Sequence, residues 1–168
     1  FYNNRRILND ISFKVNRSEV LGLLGPNGVG KSTIFKIIMN IENQKSGKIY
    51  LNGIDCSKIP IHERSKKFHL SYCPQYGGYF YDLTVLENLT AVAEIHVKEK
   101  NLRISKIDKI IGQFGFDSIL NVKAKHVSGG ERRKLAIGMA IINDPQILLL
   151  DEPYAALDIL SIKMIQEI

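Results

Sequence analysis

Lys31, Ser32, Asp151 and Glu152 are the residues whose types and spacing carry chemistry in this chain. Lys31 and Ser32 fall in the run Gly25-Pro26-Asn27-Gly28-Val29-Gly30-Lys31-Ser32-Thr33, which satisfies G-x-x-x-x-G-K-[ST], the pattern of a phosphate-cradling loop. Backbone N–H groups of such a loop, and the positive end of the helix that follows, converge on a polyphosphate. Glycines are needed because a Cβ would block close backbone approach and positive φ. Lys31 would reach the β- and γ-phosphates, and the Ser32 hydroxyl would ligate Mg²⁺. Asp151 follows four apolar residues and suits a carboxylate that holds Mg²⁺ directly or through water. Glu152 beside it suits a general base that orients and polarises an attacking water.

Those groups need strands and helices to hold them. Val20-Leu21-Gly22-Leu23-Leu24 reads as a buried strand before the loop, and Ile34, Ile37, Ile38 and Ile41 read as the apolar face of a helix after it. Ile147-Leu148-Leu149-Leu150 reads as a second buried strand with Asp151 and Glu152 at its carboxyl end, where open parallel sheets bind ligands. Residues 7–24 read as strands on the partial alternation of Ile7, Ile11, Phe13 and Val15, with a turn at Asn16-Arg17-Ser18. Ile49-Tyr50-Leu51 before Asn52-Gly53 predicts a hairpin. Pro60 opens a short basic helix to about Lys67. Leu70-Ser71-Tyr72-Cys73 is a short strand ended by Pro74-Gln75.

The middle of the chain is helical in pattern. Thr84-Val85-Leu86-Glu87 fits a capping box ahead of Leu86, Leu89, Val92 and Ala93. Ile104, Ile107, Ile110, Ile111 and Phe114 mark a helix that Gly115 stops. Ser128-Gly129-Gly130-Glu131 repeats the S-x-x-E signal before Leu135, Ile137, Met139 and Ile141, and Asp144-Pro145 ends that helix. The fold class is α/β: a mixed-sheet core over residues 1–83 and 144–168 that carries a helical subdomain over 84–143.

Composition narrows the classes. A chain of 168 residues with 45% apolar content can bury one core. Its net charge of +6 is scattered, and the clusters Arg5-Arg6, Lys66-Lys67 and Arg132-Arg133-Lys134 read as solvated surface. Cys56 and Cys73 lack metal or redox spacing and read as buried thiols of a reducing compartment. His62, His69, His96 and His126 show no ligand spacing. No apolar run approaches the ~18 residues that span a membrane. The first residue is Phe, and 159–168 open a helical pattern without finishing it; the chain reads as a piece of a longer protein whose C-terminal part is missing.

With the signature Ser128 to Glu131 between Gln75 and the strand at Ile147, the chain resembles the ATP-binding subunits of ATP-binding-cassette (ABC) transporters, a P-loop family. The match comprises Gly25 to Thr33 (Walker A), Gln75 (Q-loop), Ser128 to Glu131, Ile147 to Glu152 (Walker B) and Ala155-Ala156-Leu157-Asp158 (D-loop), in order along essentially the whole chain. The resemblance implies a homodimer, or a pair with a second ATPase subunit, that sandwiches two ATPs head to tail. Ser128, Gly129, Gly130 and Glu131 of one subunit would then face the γ-phosphate held by the other. It implies that Gln75 contacts Mg²⁺ and the attacking water, and that Tyr2 stacks on adenine. Departures are Val127 for the usual Leu, Ser18-Glu19 for Gly-Glu, Ala155 for Ser, and Ile159 where Pro often follows. The family's switch histidine would fall after residue 168, so these residues alone are expected to bind ATP poorly or turn it over slowly.

A finer resemblance is to the ATPases of bacterial lipopolysaccharide-export transporters, through Tyr2 to Thr33, Ile59 to Arg64, Tyr72 to Leu89, Ser128 to Lys134 and Asp151 to Ala155. It implies membrane subunits that dock near Tyr76 to Leu83, with Phe80 at the groove, and a peripheral position at the cytoplasmic face of the inner membrane. Phe80 reads equally well as core packing, and Tyr81-Asp82 stand where those ATPases often carry basic residues. ATPases of branched-chain amino-acid importers are similar. ABC proteins of DNA repair, chromosome organisation and translation form a different class, and no direct nucleic-acid contact is expected here.

Overall fold

In the computed structural model, which describes residues 7–155 and 157–166, the chain divides into two parts, Phe1–Arg64 and Ser65–Ile168. Tyr2, expected at the adenine, and Ala156 of the D-loop lie outside the described residues.

In the first part, helix α1 (Lys31–Ile38) follows the glycine loop. The spacing predicts a helix that reaches Ile41, but Asn40 turns left-handed at φ 59°, a conformation its short polar side chain tolerates, and α1 ends before it. Strands β1 (Tyr50–Leu51) and β2 (Ile54–Asp55) pair antiparallel, Tyr50 opposite Asp55 and Leu51 opposite Ile54. Asn52 and Gly53 join them at φ 50° and 77°, the two positive values a tight primed turn requires. Arg64 is fully buried. Its guanidinium donates to the carbonyls of Ile37 and Ile38 at 3.0 and 2.6 Å, and to those of Ile59 and Ser57 at 2.7 and 3.0 Å. A cation thus sits on carbonyls at the C-terminal end of α1, the negative end of the helix that starts at the glycine loop.

The strands expected over 7–24 are not formed. Val20 and Leu24 are 97% and 96% exposed, and no ladder includes them. A strand is held by hydrogen bonds to a neighbour, and among the described residues none pairs with this run. The turn is present: the Asn16 backbone N–H and side-chain amide donate to the Glu19 carboxylate at 2.6 and 2.9 Å, with Ser18 at φ 58°.

Helix α2 (Ile61–Phe68) begins just after Pro60 and runs into the second part. There β3 (Leu70–Cys73) pairs parallel with β4 (Ile147–Leu150), Leu70 against Ile147 through Cys73 against Leu150. A parallel pair requires a crossover. Residues 74–146 supply it with α3 (Val85–His96), α4 (Lys100–Phe114), a 3₁₀ turn at Ala124–His126 and α5 (Gly129–Ile141). Helix α6 (Ile159–Gln166) follows β4. The expected burial of β4 is corrected to half-burial, since β3 is its one described strand neighbour.

The core of this part joins Val85, Leu89 and Ala93 of α3, Ile107, Ile110 and Phe114 of α4, and Leu135, Ile137 and Met139 of α5. A Cβ on Gly138 would stand 2.9 Å from Ile110 Cγ2, so this glycine lets α4 and α5 approach. Both capping boxes are formed, at Thr84/Glu87 and Ser128/Glu131. Gly115, at φ 67°, ends α4 as read from the sequence. Cys56 and Cys73 are free and buried. One surface assignment fails: Arg133 is 6% exposed and belongs to the interior.

Candidate active site

The phosphate loop belongs to the first part. Gly25, Gly28 and Gly30 have φ values of 154°, 79° and 107°, the positive range that favours glycine. Gly30 is constrained twice, because a Cβ there would also stand 2.8 Å from Ile7 Cγ2 and Leu8 Cδ2. It caps α1, and the Ile34 N–H makes an early helical bond to the Gly30 carbonyl at 3.1 Å. Lys31, Ser32 and Thr33 therefore form the first turn, whose N–H groups have no carbonyl partner within the helix. The Lys31 ammonium folds back over the loop and donates to the carbonyls of Gly25 and Pro26 at 2.7 and 3.0 Å. Val29 closes the turn by donating to the Pro26 carbonyl at 3.4 Å. Asn27 and Thr33 complete the run.

In the second part, the parallel register of β3 and β4 brings Gln75 and the Asp151-Glu152 pair to one sheet end. Asp151 is 3% exposed, and its N–H extends the ladder to the Cys73 carbonyl at 3.0 Å. Its carboxylate accepts from the Tyr72 hydroxyl at 3.4 Å. Burial, then the Asp151 charge, push the Tyr72 phenol up to about 12, so Tyr72 keeps its proton and donates at neutral pH. Glu152 sits at φ 51°, a left-handed conformation that costs energy for a residue with a Cβ. Its carboxylate accepts from the Gln75 side-chain amide at 2.7 Å.

Within the second part, the Gln75 carbonyl and the Asp151 carboxylate are candidate donors for Mg²⁺, and within the first part the Ser32 hydroxyl is another. All are oxygens, the donor type this hard cation takes. Among the described residues no cluster of three or more His, Cys, Asp or Glu forms a cage.

Ser128 caps α5. Its hydroxyl accepts from the Glu131 N–H at 3.2 Å, and its own N–H donates to the Glu131 carboxylate at 2.7 Å. These bonds hold the Glu131 carboxyl below its ordinary range. Gly129 and Gly130 form the first turn of α5, with N–H groups and the dipole available to an anion. Asp158 of the D-loop caps α6, accepting from the Ser161 N–H and hydroxyl at 2.8 and 2.7 Å.

Two side chains at this site escape the sequence reading. Arg133 donates to the carbonyls of Pro74, Asp151 and Pro153 at 2.6, 2.6 and 3.3 Å. Its signal was available: Arg133, Ala136, Ile137 and Ala140 share one helical face, and the other three are apolar. Asn88, fully buried on α3, accepts from the Phe80 N–H at 2.7 Å and donates to the carbonyls of Phe80, Leu83 and Thr84 at 3.0, 3.2 and 2.9 Å. It pins the loop 76–83, on which Tyr76, Phe80 and Tyr81 are 83%, 52% and 55% exposed. Phe80 is therefore not a core residue of the described structure.

The sequence profile of the ABC transporter family matches residues 8–155. The lipopolysaccharide export system ATP-binding protein LptB of Haemophilus influenzae is 40% identical over 171 aligned positions, covering 99% of this chain and 69% of that protein. An uncharacterized ABC transporter ATP-binding protein of Rhizobium meliloti is 40% identical over 165 positions, 98% of this chain and 61% of its own length. A solved dimeric ATP-binding cassette, in a post-hydrolysis state bound to ADP and Pi, matches the fold with a TM-score of 0.86 at 24% identity, covering 96% of this chain and 72% of that one. The chain thus spans 69% and 61% of the two relatives' lengths. Among the described residues no helix is long and apolar enough to cross a membrane. The chain belongs to the ABC transporter family, as an ATP-hydrolysing domain of the ABC type.

Proposed function

We propose that the whole protein hydrolyses ATP to drive lipopolysaccharide export through membrane subunits. The observation that carries the catalytic part is the Gln75–Glu152 hydrogen bond, which joins the residues at the ends of two parallel strands. Gly25 to Thr33 cradle the phosphates, and Lys31 exchanges the Gly25 and Pro26 carbonyls for phosphate oxygens. Glu152 accepts the proton of the attacking water as Gln75 orients it. Asp151, held by Tyr72, offers its carboxylate to the cation. Mg²⁺, when bound, neutralises charge on the β- and γ-oxygens.

Ser128 to Glu131 of a second copy, or of a second ATPase subunit, complete each site, because the first turn of α5 is built to receive an anion. Residues 84–143 form the helical subdomain that carries this element, and 1–83 with 144–168 form the nucleotide-binding core. The exposed aromatics of loop 76–83 receive the membrane subunits, which hold the ATPase at the cytoplasmic face of the membrane. The export assignment draws on the 40% identity to the Haemophilus protein. Transport of another substrate is the second reading, favoured by Tyr81 and Asp82, where basic residues are usual in the export ATPases.

The test is copurification of the full-length protein with its membrane partners, with ATP turnover measured for wild type and Lys31→Ala. Lipopolysaccharide-export permeases and Lys31-dependent turnover are expected. An importer permease overturns the export assignment, and turnover indifferent to Lys31→Ala overturns the site.

A further inference from the structure

We infer that Arg133 is a positioning residue for hydrolysis: from the signature helix it clamps the two backbone stretches that carry Gln75 and Glu152. The inference rests on the proposed roles of those two residues. Arg133 lies in the second turn of α5, five residues after Ser128, and is 6% exposed. A buried guanidinium needs its donors satisfied, and here backbone oxygens do it. The Pro74 carbonyl, immediately before Gln75, accepts at 2.6 Å. The carbonyls of Asp151 and Pro153, on either side of Glu152, accept at 2.6 and 3.3 Å.

The placement explains a strained residue. Glu152 keeps its left-handed φ of 51° only if its surroundings over-determine it. Arg133 fixes the carbonyl before Glu152 and the carbonyl after it. By holding Pro74 with the same planar group, it also fixes how far Gln75 stands from Glu152, and so the 2.7 Å bond between them. A lysine ammonium is a compact point charge and lacks the fork that spans three separated acceptors. Seating of the signature helix is thereby transmitted to the base and its amide partner.

The test uses the full-length protein, with Arg133→Lys and Arg133→Gln each made alone and in a Gln75→Ala background, and Lys31→Ala as a control. Turnover, KM, MgATP affinity and Tm are measured for each. A positioning role predicts that kcat falls at least ~10-fold for Arg133→Lys, with KM and MgATP affinity within ~3-fold of wild type. In the Gln75→Ala background the same substitution should cost clearly less than in the wild-type background, since the part of its effect that runs through the Gln75–Glu152 bond is already lost. A kcat within ~3-fold of wild type overturns the inference. So does an equal loss in both backgrounds, or a loss that follows Tm and MgATP affinity downward in both variants, which assigns Arg133 to packing alone. Wild-type turnover that survives Lys31→Ala instead overturns the underlying site reading.

Discussion

The Gln75 side-chain amide donates to the Glu152 carboxylate at 2.7 Å, across 77 residues of chain. The pair meets because β3 and β4 run parallel and end together, with Gln75 two residues past β3 and Glu152 two past β4. An amide that holds a carboxylate orients a base without taking its proton. Gln75→Ala should therefore lower ATP turnover by about 10- to 100-fold while MgATP affinity stays within a few-fold, since general-base catalysis is worth a factor of this order or more. Steady-state kinetics with a separate binding measurement checks it. Parallel loss of affinity and turnover would mean that Gln75 serves binding instead.

Ser128 and Glu131 cap α5 reciprocally. Ser128→Ala should cost about 1 kcal/mol of stability, the usual worth of an N-cap hydroxyl. The effect is pH-dependent. The Ser128 bonds hold the Glu131 carboxyl below its ordinary value of 4.5. A group with a depressed folded-state pKa contributes stability that is present above the unfolded value and is lost as pH falls through the folded one. The Tm difference between wild type and Ser128→Ala should be full above pH 4.5 and shrink below it. A difference constant across that range would contradict the ionised cap.

Asn88 serves a different surface. Its amide is buried and bonds the backbone at Phe80, Leu83 and Thr84. Asn88→Ala strands those groups in the interior, and should destabilise the protein by about 2–3 kcal/mol. Limited proteolysis should also open the loop 76–83. Unchanged protease resistance would argue that the loop is held by other contacts.

What was legible in the sequence was local. Asn52-Gly53, Gly115, Thr84 with Glu87 and Ser128 with Glu131 each encode their conformation within four residues, and each is found as read. The strand over Val20 to Leu24 was misread because a ladder depends on a partner elsewhere in the chain. Arg133 was misread because a charge in a basic cluster looks solvated until the three carbonyls that receive it are brought together by the fold. The left-handed φ of Glu152 has no local signature at all, because glutamate does not favour it.

The thiols give a check on the core. Cys56 and Cys73 are 0% and 1% exposed, and burial pushes the Cys73 thiol up to about 11. Thiolate is the reactive form, so both should resist alkylation at neutral pH and react after denaturation. Peptide mapping after iodoacetamide treatment checks this. Rapid labelling of Cys73 in the native protein would contradict the packing of β3.

The most direct measurement is ATP turnover by the full-length protein carrying Glu152→Gln, with MgATP affinity and oligomeric state measured on the same sample. Glutamine keeps the size and the Gln75 neighbour but cannot take a proton from water. Turnover should fall at least ~100-fold, with affinity retained and an ATP-bound dimer that persists. Turnover within a few-fold of wild type would contradict it.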